Sequence, residues 1–252
     1  MSFINYFSIV RELAVADFRL KYQDSVLGYF WSMLNPLALF LVYHFVFSYL
    51  FVVQVPKFTL YLLSGIVFWN FFADATLGSL QSLENKASLT KKIFFPRSIL
   101  IVSSTATAIF SLLINTVLLM IVVGIFDHIS LSQLFTVVPL VLIILLGLAM
   151  AFILSILYIH FRDIAQIWNV LLTIGFWLTP VVYNALEAPA PLKDVALLNP
   201  IGRVLVILRA YLVFGDSPPI SFIISTGVFC ILFTLFGWWF FKKNDHKIAE
   251  YL

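Results

Sequence analysis

Six long stretches of this chain contain no lysine, arginine, aspartate or glutamate, and they limit the possible folds more than any other feature. They cover 25–56, 58–73, 98–126, 128–161, 164–186 and 217–241. A helix needs about 20 mainly apolar residues to cross a bilayer, and five of the stretches are that long. The second is interrupted only by Asp74. We predict an all-α integral membrane protein, because an open strand in lipid leaves backbone groups unpaired.

The charge content agrees with lipid as the main solvent. Charged residues make up 11% of the chain, against about a quarter in an ordinary soluble domain. We predict one membrane domain over 1–252 with six spans, the fifth of them beginning after Arg162 and Asp163 and ending near Pro180. The spans are expected at about 31–55, 58–80, 98–126, 132–158, 164–184 and 218–241.

The segment 185–216 tests this count, because it is apolar but contains charges. If it crossed the membrane, the termini would lie on opposite sides. With six crossings, the predicted inner segments hold Arg11, Arg19, Lys21, Lys86, Lys91, Lys92, Arg97, Arg162, Lys242, Lys243 and Lys247. The outer segments hold only Lys57, Lys193, Arg203 and Arg209. Basic residues favour the cytoplasmic side, so both termini are predicted to be cytoplasmic. The segment 185–216 is then predicted to form two re-entrant helices on the outer face.

The N-terminal segment 3–22 is predicted to be an amphipathic helix. Its polar face carries Asn5, Ser8, Glu12 and Arg19, and its apolar face carries Phe3, Phe7, Val10, Ala14 and Phe18. A helix of this kind lies in the membrane interface, here on the inner side. The alternative is a soluble helix that packs on a partner.

The loop 80–96 is the longest predicted inner segment, and it is polar and basic. Composition favours an ordinary loop that anchors the topology through its positive charges. The other interpretation is a short surface helix that docks on a cytoplasmic partner.

Few groups inside the spans can carry chemistry. Asp74 is expected near the inner headgroups, at the interface or paired with another residue, and His44 is expected to be a packing residue. There is no second carboxylate or histidine in the spans for a relay or a metal site. No glycine is followed by lysine, so the phosphate-binding loop of ATPases is missing. We therefore predict no catalytic residues, no metal and no cofactor in this chain.

Four stretches resemble one known family. They read DFRLKYQDSVLGYFWSMLNPL (17–37), NKASLTKKIFFPRS (85–98), HFRDIAQIWNVLLTIGFWLTPVVY (160–183) and LLNPIGRVLVILRAYL (197–212). They are similar to permease subunits of ABC exporters for bacterial polysaccharides, most closely the transmembrane subunit of O-antigen exporters. The third stretch, in which Phe-Arg-Asp-Ile precedes Thr-Pro-x-x-Tyr, is the most specific.

The resemblance implies an assembly and a reaction. Two copies would pair with each other and with two cytoplasmic ABC ATPases, which would bind ATP and Mg. The loop 80–96 would contain the coupling helix that contacts the ATPase. The substrate would be a polysaccharide on an undecaprenyl pyrophosphate carrier, exported across the bacterial cytoplasmic membrane through a channel at the dimer interface. Membrane lipid is an expected partner and nucleic acid is not.

The same resemblance suggests three sets of functional residues. Candidates for the channel lining are Asn35, Tyr43, Trp69, Phe72, Trp168, Phe176, Trp177 and Tyr183. Candidates for coupling to the ATPase are Glu84, Lys86, Leu89, Lys91, Lys92, Arg162 and Asp163. Candidates for the carrier pyrophosphate are Arg11, Arg19 and Lys21, whose other possible role is to anchor the topology.

Three other functions remain open at this point. Capsule and teichoic acid exporters use similar permeases. A gradient-driven transporter or channel would need ion-coupling groups or inverted repeats. A membrane-embedded glycosyl- or acyltransferase would need converging acid and base groups, and neither feature is apparent in the sequence.

Overall fold

The computed structural model describes residues 3–22, 25–50, 55–86, 96–126 and 130–251, and within these ranges all regular structure is helical. This confirms the all-α prediction for the described part of the chain. The helices are α1 Phe3–Tyr22, α2 Trp31–Phe45, α3 Phe58–Leu80, α4 Ser82–Asn85, α5 Ser98–Phe126, α6 Val137–His160, α7 Ile164–Leu178, α8 Ala190–Leu198, α9 Pro200–Arg209 and α10 Ile220–Tyr251. Tighter or wider turns extend α2 over Val46–Leu50, precede α6 over Leu131–Thr136 and extend α9 over Ala210–Phe214.

Five helical segments of the described chain are long and apolar enough to cross a membrane. They are Trp31–Tyr49, Phe58–Leu80, Ser98–Phe126, Leu131–His160 and Ile220–Asp245. The pair α8 and α9 would count as a sixth if taken as one broken span, and its two halves are bent by 94°. The length and composition of these helices therefore allow five or six spans.

The helix α7 lies in the predicted fifth span, but it is short. It has 15 residues, which give a length of about 22 Å against a hydrocarbon core of about 30 Å. The helix ends at Leu178 because Pro180 removes a backbone donor and clashes with the preceding turn. Residues 179–184 continue as an irregular turn.

The centre of the bundle is α3, which packs against α5 and α6. In its most apolar stretch 78% of the residues are buried, whereas in α2 only 11% are. This follows from the sequence of α3, which is apolar on all sides and therefore suits a central position. The helix α2 lies at the edge and leaves most of its surface uncovered.

The N-terminal helix α1 packs on α5 of the same chain. The Tyr6 hydroxyl is 3.4 Å from Ser98 Oγ, and Thr107 Oγ1 donates to the Ala14 carbonyl at 3.3 Å. Further along, the rings of Phe18 and Phe110 meet edge to face at 4.7 Å. Residue numbers rise together along the two helices through these contacts, so α1 runs in the same direction as the first half of α5.

The last helix, α10, packs closely against α6 at Gly237. A Cβ built on Gly237 would lie 2.6 Å from the Ala149 carbonyl oxygen, so only glycine fits. Nearby, Thr234 Oγ1 donates to the Leu145 carbonyl at 3.0 Å. Small residues and hydroxyl bonds of this kind are the usual means by which membrane helices associate.

We expect Gly237→Ala to destabilise the α6–α10 contact by about 1–3 kcal/mol, the usual cost of overpacking. The matched control is Gly227→Ala in the same helix, where the added Cβ would meet its nearest neighbour at 3.9 Å. Thermal unfolding of the purified protein in detergent measures both variants. Equal unfolding midpoints would contradict the close packing at Gly237.

Candidate functional site

An aromatic cluster joins α2, α3 and α7, and it contains six of the eight predicted channel-lining residues. Its members are Tyr43, Trp69, Phe72, Trp168, Phe176 and Trp177. The Phe176 ring lies 5.5 Å from Tyr43 and 6.0 Å from Trp69, measured between ring centroids. These contacts hold the short helix α7 between the peripheral α2 and the central α3.

The register of α7 is set by its contacts with α3. Trp168 Nε1 donates to Thr76 Oγ1 at 2.9 Å, which satisfies the indole donor inside the bundle. A Cβ built on Gly175 would lie 3.0 Å from the Trp69 ring, so the glycine lets α7 approach α3 closely. Trp168 and Gly175 therefore face inward.

A second face of α7 is polar and exposed. Gln166, Asn169, Thr173 and Trp177 are spaced by three, four and four residues, so they share one side of the helix, and all four are exposed. The remaining exposed residues of α7 form a third, apolar face that includes Ile167 and Ile174. Sequence analysis missed the three polar members of this stripe, although their helical spacing was a usable signal.

The other two predicted lining residues lie elsewhere. Asn35 is exposed on α2 beside a polar cavity between α2, α3 and α5. Tyr183 lies in the turn after α7, where its hydroxyl donates to the Leu178 carbonyl at 2.8 Å and its own carbonyl accepts from Tyr61 Oη at 2.8 Å. The structure therefore does not bring Asn35 and Tyr183 into the aromatic cluster.

A buried arginine organises the turn after α7. The Arg209 guanidinium donates from Nη1 to the Pro180 carbonyl at 2.5 Å and from Nη2 to the Val181 carbonyl at 2.8 Å. Nη2 also lies 3.2 Å from the Tyr61 carbonyl, and the guanidinium carbon is 3.4 Å from the centre of the Tyr61 ring. A Cβ on Gly65 would lie 2.7 Å from Nη2, so glycine makes room for this cation against α3.

The turn 179–184 and Arg209 form a corner of the bundle, and this corner also holds the start of α9 against the end of α7. Asn199 caps α9 by accepting from the Ile201 amide at 3.0 Å, and its Nδ2 donates to Thr179 Oγ1 at 2.7 Å. A Cβ on Gly202 would lie 2.1 Å from the Ala196 carbonyl oxygen and 3.1 Å from the Pro180 ring. The Thr-Pro and Asn-Pro-x-Gly motifs therefore form one interlocked contact.

Sequence analysis missed the role of Arg209, which was counted only as a charge of the outer segment. Arg209 is almost fully buried, as are Leu205 and Leu212 on the same face of α9. The available signal was this spacing, which places the arginine on the apolar side of its helix.

The coupling candidates are partly described. Arg162 Nη2 donates to Glu84 Oε1 at 3.0 Å, which ties the turn between α6 and α7 to α4. Asp163 is exposed at the start of α7, and Lys86 pairs with Asp17 of α1. Leu89, Lys91 and Lys92 lie in 87–95, outside the described residues.

The three basic residues proposed for the carrier are divided between two places. Lys21 Nζ lies 2.8 Å from Asp74 Oδ2, so this aspartate of α3 is paired, as expected. Arg11 and Arg19 are exposed and border an apolar groove of about 650 Å³ between α1 and α5.

The remaining candidate for chemistry, His44, is a packing residue. Its ring stacks between Phe40 and Phe58, with centroid distances of 5.3 and 5.9 Å. Among the residues that the structure describes, no three His, Cys, Asp or Glu side chains converge to hold a metal ion.

The described part of the chain is thus a helical bundle with five or six possible membrane spans. Residues 10–213 match the sequence profile of the ABC-2 type transporter family, and the chain belongs to that family. The protein is therefore a multi-pass permease of the bacterial cytoplasmic membrane.

Individual relatives carry more specific names than the family does. The chain is 28% identical over 251 residues to the O-antigen export system permease protein RfbA of Klebsiella pneumoniae, covering 98% of this chain and 95% of the relative. It is 28% identical over 180 residues to the protein of the same name from Myxococcus xanthus, covering 71% and 69%. The resemblance to polysaccharide exporter permeases, most closely those for O-antigen, is confirmed.

We expect Arg209→Leu to lower the free energy of unfolding by about 2–5 kcal/mol, because it leaves buried carbonyl groups without donors. The matched control is Arg203→Leu in the same helix. Arg203 is only partly buried and bonds the hydroxyls of Thr226 and Ser225, which can turn to other acceptors. Thermal unfolding in detergent compares the two. A midpoint for Arg209→Leu at or above that of Arg203→Leu would show that the buried cation does not hold the corner.

Proposed function

We propose that two copies of this chain form the channel of an ATP-driven exporter for lipid-linked polysaccharide. The proposed substrate class is O-antigen. The carrier is proposed to be undecaprenyl pyrophosphate. The observation that carries the proposal is the exposed stripe of Gln166, Asn169, Thr173 and Trp177 on α7. The relatives named as O-antigen export permeases support the choice of substrate.

The stripe argues for a water-filled channel because amide side chains are costly in hydrocarbon. Asn169 and Thr173 satisfy part of their hydrogen bonding within the helix, to the carbonyls of Ala165 and Asn169. The rest of each polar group points away from the packed side of α7. A partner copy across a hydrated channel would keep this face out of lipid, whereas the apolar face at Ile167 and Ile174 suits lipid contact.

The aromatic residues supply a second property of the channel wall. Tyr43 and Trp177 are in contact with centroids 6.4 Å apart, and Trp177 is the exposed aromatic member of the stripe. Aromatic faces pack against the apolar C–H faces of sugar rings. A wall with amides and aromatic rings can therefore contact a glycan without binding any one sugar tightly. Asn35 and Tyr183 are proposed to extend this wall along α2 and after α7.

The proposed topology has six spans and cytoplasmic termini. In this arrangement α7 and the turn 179–184 cross the membrane together, and the pair α8 and α9 is re-entrant, for which the 94° bend between them is the support. Re-entrant backbone is tolerated where protein buries it, and Arg209 and Asn199 supply the hydrogen bonds at this corner.

The energy is proposed to come from two copies of a separate cytoplasmic ATPase, which would bind ATP and Mg, with no catalytic residue in this chain. The proposed contact region is the loop 80–96 with the Glu84–Arg162 pair beside it. This pair links α4 to the turn before α7, so movement of the loop would be transmitted to the channel-lining helix.

The carrier pyrophosphate is proposed to bind near Arg11 and Arg19. Both arginines flank the apolar groove between α1 and α5, which suits a ligand with an anionic head and a hydrocarbon chain. Lys21 lies on the other side of α1 with its charge opposed by Asp74, so it contributes less to this site.

We expect Asn169→Leu and Thr173→Val to reduce glycan export by about tenfold or more, because they make the channel face apolar, while protein levels stay normal. The matched control is Thr116→Val, which removes a hydroxyl that likewise bonds the carbonyl of its own helix, but at a buried position in α5. Surface glycan is measured after each variant is expressed in cells that lack the native gene.

Two outcomes would count against the proposal. Normal surface glycan in cells without the gene would remove the exporter function itself. Normal export by both α7 variants would place the channel elsewhere in the protein.

We expect Arg162→Glu to reduce export while leaving the unfolding midpoint nearly unchanged, since exposed ion pairs contribute about 0–1 kcal/mol. The double variant Glu84→Arg with Arg162→Glu restores the pair with reversed charges and should recover export to within about twofold. Coupled ATPase activity and export are measured together. If the double variant remains as impaired as the single one, the attraction between these two residues is not what couples α4 to α7.

A further inference from the structure

A cavity lined by several polar side chains lies between α2, α3 and α5, apart from the aromatic cluster and from the groove beside α1. It has a volume of about 250 Å³, is partly open to the surface, and is lined by α2, α3 and α5 together with Lys21 of α1. Its polar lining includes Ser32, Asn35, Asn70, Ser111 and Asn115. Asparagine side chains in a membrane bundle commonly hydrogen-bond across helices, so atoms of these side chains that are buried without a partner need a reason.

Two of these asparagines each have one side-chain atom that is available for a further hydrogen bond. The Asn115 side chain is more than nine-tenths buried, and its Nδ2 donates to the carbonyls of Ser32 and Ser111 at 3.0 and 2.9 Å. Its Oδ1 has no partner among the residues that the structure describes, and neither has the buried Nδ2 of Asn70. A buried polar atom left unpaired costs about 1–3 kcal/mol, so both atoms favour a polar guest.

The chemistry of the guest follows from these two atoms. One is an acceptor and the other a donor, and a hydroxyl group can serve both, since it donates one hydrogen bond and accepts others. The charged residues of the lining are Lys21 and Asp74, which neutralise each other. A neutral molecule with several hydroxyls therefore fits better than a phosphate or a metal ion.

The shape of the cavity supports a ring-sized guest. Its volume is several times the share of one water molecule, about 30 Å³, and lies just below the range of about 300–1,000 Å³ for larger ligands. Trp31 and Phe71 supply aromatic surface, which packs well against the C–H face of a sugar ring.

The Lys21–Asp74 pair stands between this cavity and a second one. The second cavity, of about 560 Å³, shares Lys21, Asp74 and Ala108 with the first and reaches α4. It is bordered by the Lys86–Asp17 pair. Asp17 and Lys21 are one turn apart on α1, so this helix provides one member of each ion pair along a polar path towards the inner cavity.

We infer that the cavity between α2, α3 and α5 is a binding site for a single neutral sugar residue of the transported glycan. The choice of a glycan residue rests on the proposed function, whereas the polar, uncharged character of the site rests on the cavity itself. A sugar bound there would contact α2, the first helix of the proposed channel, and α3. It would also lie beside the Lys21–Asp74 pair, which connects α3 to α1.

The test uses cysteine labelling, for which this chain is well suited because Cys230 is its single cysteine and is buried. Ser111→Cys is introduced in a Cys230→Ser background, and the permease is kept in membranes with its ATPase. Labelling by a small methanethiosulfonate reagent is measured with and without oligosaccharides released by mild acid from the surface glycan of the host. We expect labelling of Ser111→Cys, slowed about tenfold when the sugar is present at ten times its dissociation constant.

Asn70→Leu is the discriminating variant, because it removes an unpaired buried amide and should leave the unfolding midpoint unchanged or higher. We expect it to weaken sugar protection about tenfold, the factor associated with one lost hydrogen bond, and to reduce export. The matched control is Asn244→Leu, whose amide bonds the Phe240 carbonyl in α10 away from the cavity. It should leave both protection and export unchanged.

Three results would overturn the inference. Absence of labelling would mean that the cavity is closed to solvent. Labelling without sugar protection would mean that it holds water only. Full protection in the Asn70→Leu variant would exclude the amide as a ligand.

If cells without the gene lose surface glycan but sugars give no protection, the site fails while the proposed function stands. If those cells keep their glycan, the proposed function fails.

Discussion

The contact of the Arg209 guanidinium with the carbonyls of Pro180 and Val181 is the interaction on which the arrangement of α7, α8 and α9 depends. Moving a cation into a low-dielectric interior costs several kcal/mol. Here the cost is offset by charge-assisted hydrogen bonds to three carbonyls and by the face of the Tyr61 ring. The carbonyls are available because Pro180 ends α7 and breaks its hydrogen-bond ladder. The helix break and the buried charge therefore satisfy each other.

This corner decides where α7 lies. Arg209 ties the turn after α7 to α3 at Tyr61, while Asn199 and Gly202 tie it to the start of α9. With its end held, α7 packs Trp168 and Gly175 inward against α3. Its stripe of Gln166, Asn169, Thr173 and Trp177 is left uncovered. Since this stripe carries the proposed channel function, the function depends on an interaction beyond the helix itself.

Much of the fold could be predicted from local patterns. Long uncharged stretches predicted the apolar helices, with that of α3 interrupted at Asp74, and helical periodicity predicted α1. Asp74 was expected to lie at the interface or to be paired, because a carboxylate in lipid is costly, and the structure pairs it with Lys21. These predictions rest on solvent and on sequence spacing, which act locally.

The predictions that were incomplete involve several elements at once. Arg209 was counted only as a charge of the predicted outer segment, because its acceptors at Pro180 and Val181 are 29 and 28 residues away along the chain. The polar stripe of α7 was missed because its significance depends on which face packs against α3. Six of the channel-lining candidates meet in the aromatic cluster, whereas Asn35 lies beside the cavity between α2, α3 and α5. The sequence could not separate them, because α2 is long enough to border both places.

The sequence by itself determined that the chain is helical, crosses a membrane several times and belongs with polysaccharide exporter permeases. The physical reason is that lipid limits the length and polarity of each segment separately. The family could be identified because each of its motifs is an uninterrupted run of residues. Only the tertiary structure decided which polar groups are buried, which are paired and which remain exposed. Hydrogen bonds and close contacts between distant segments decide these features, because a buried charge or amide is stable only where another part of the chain supplies its partner.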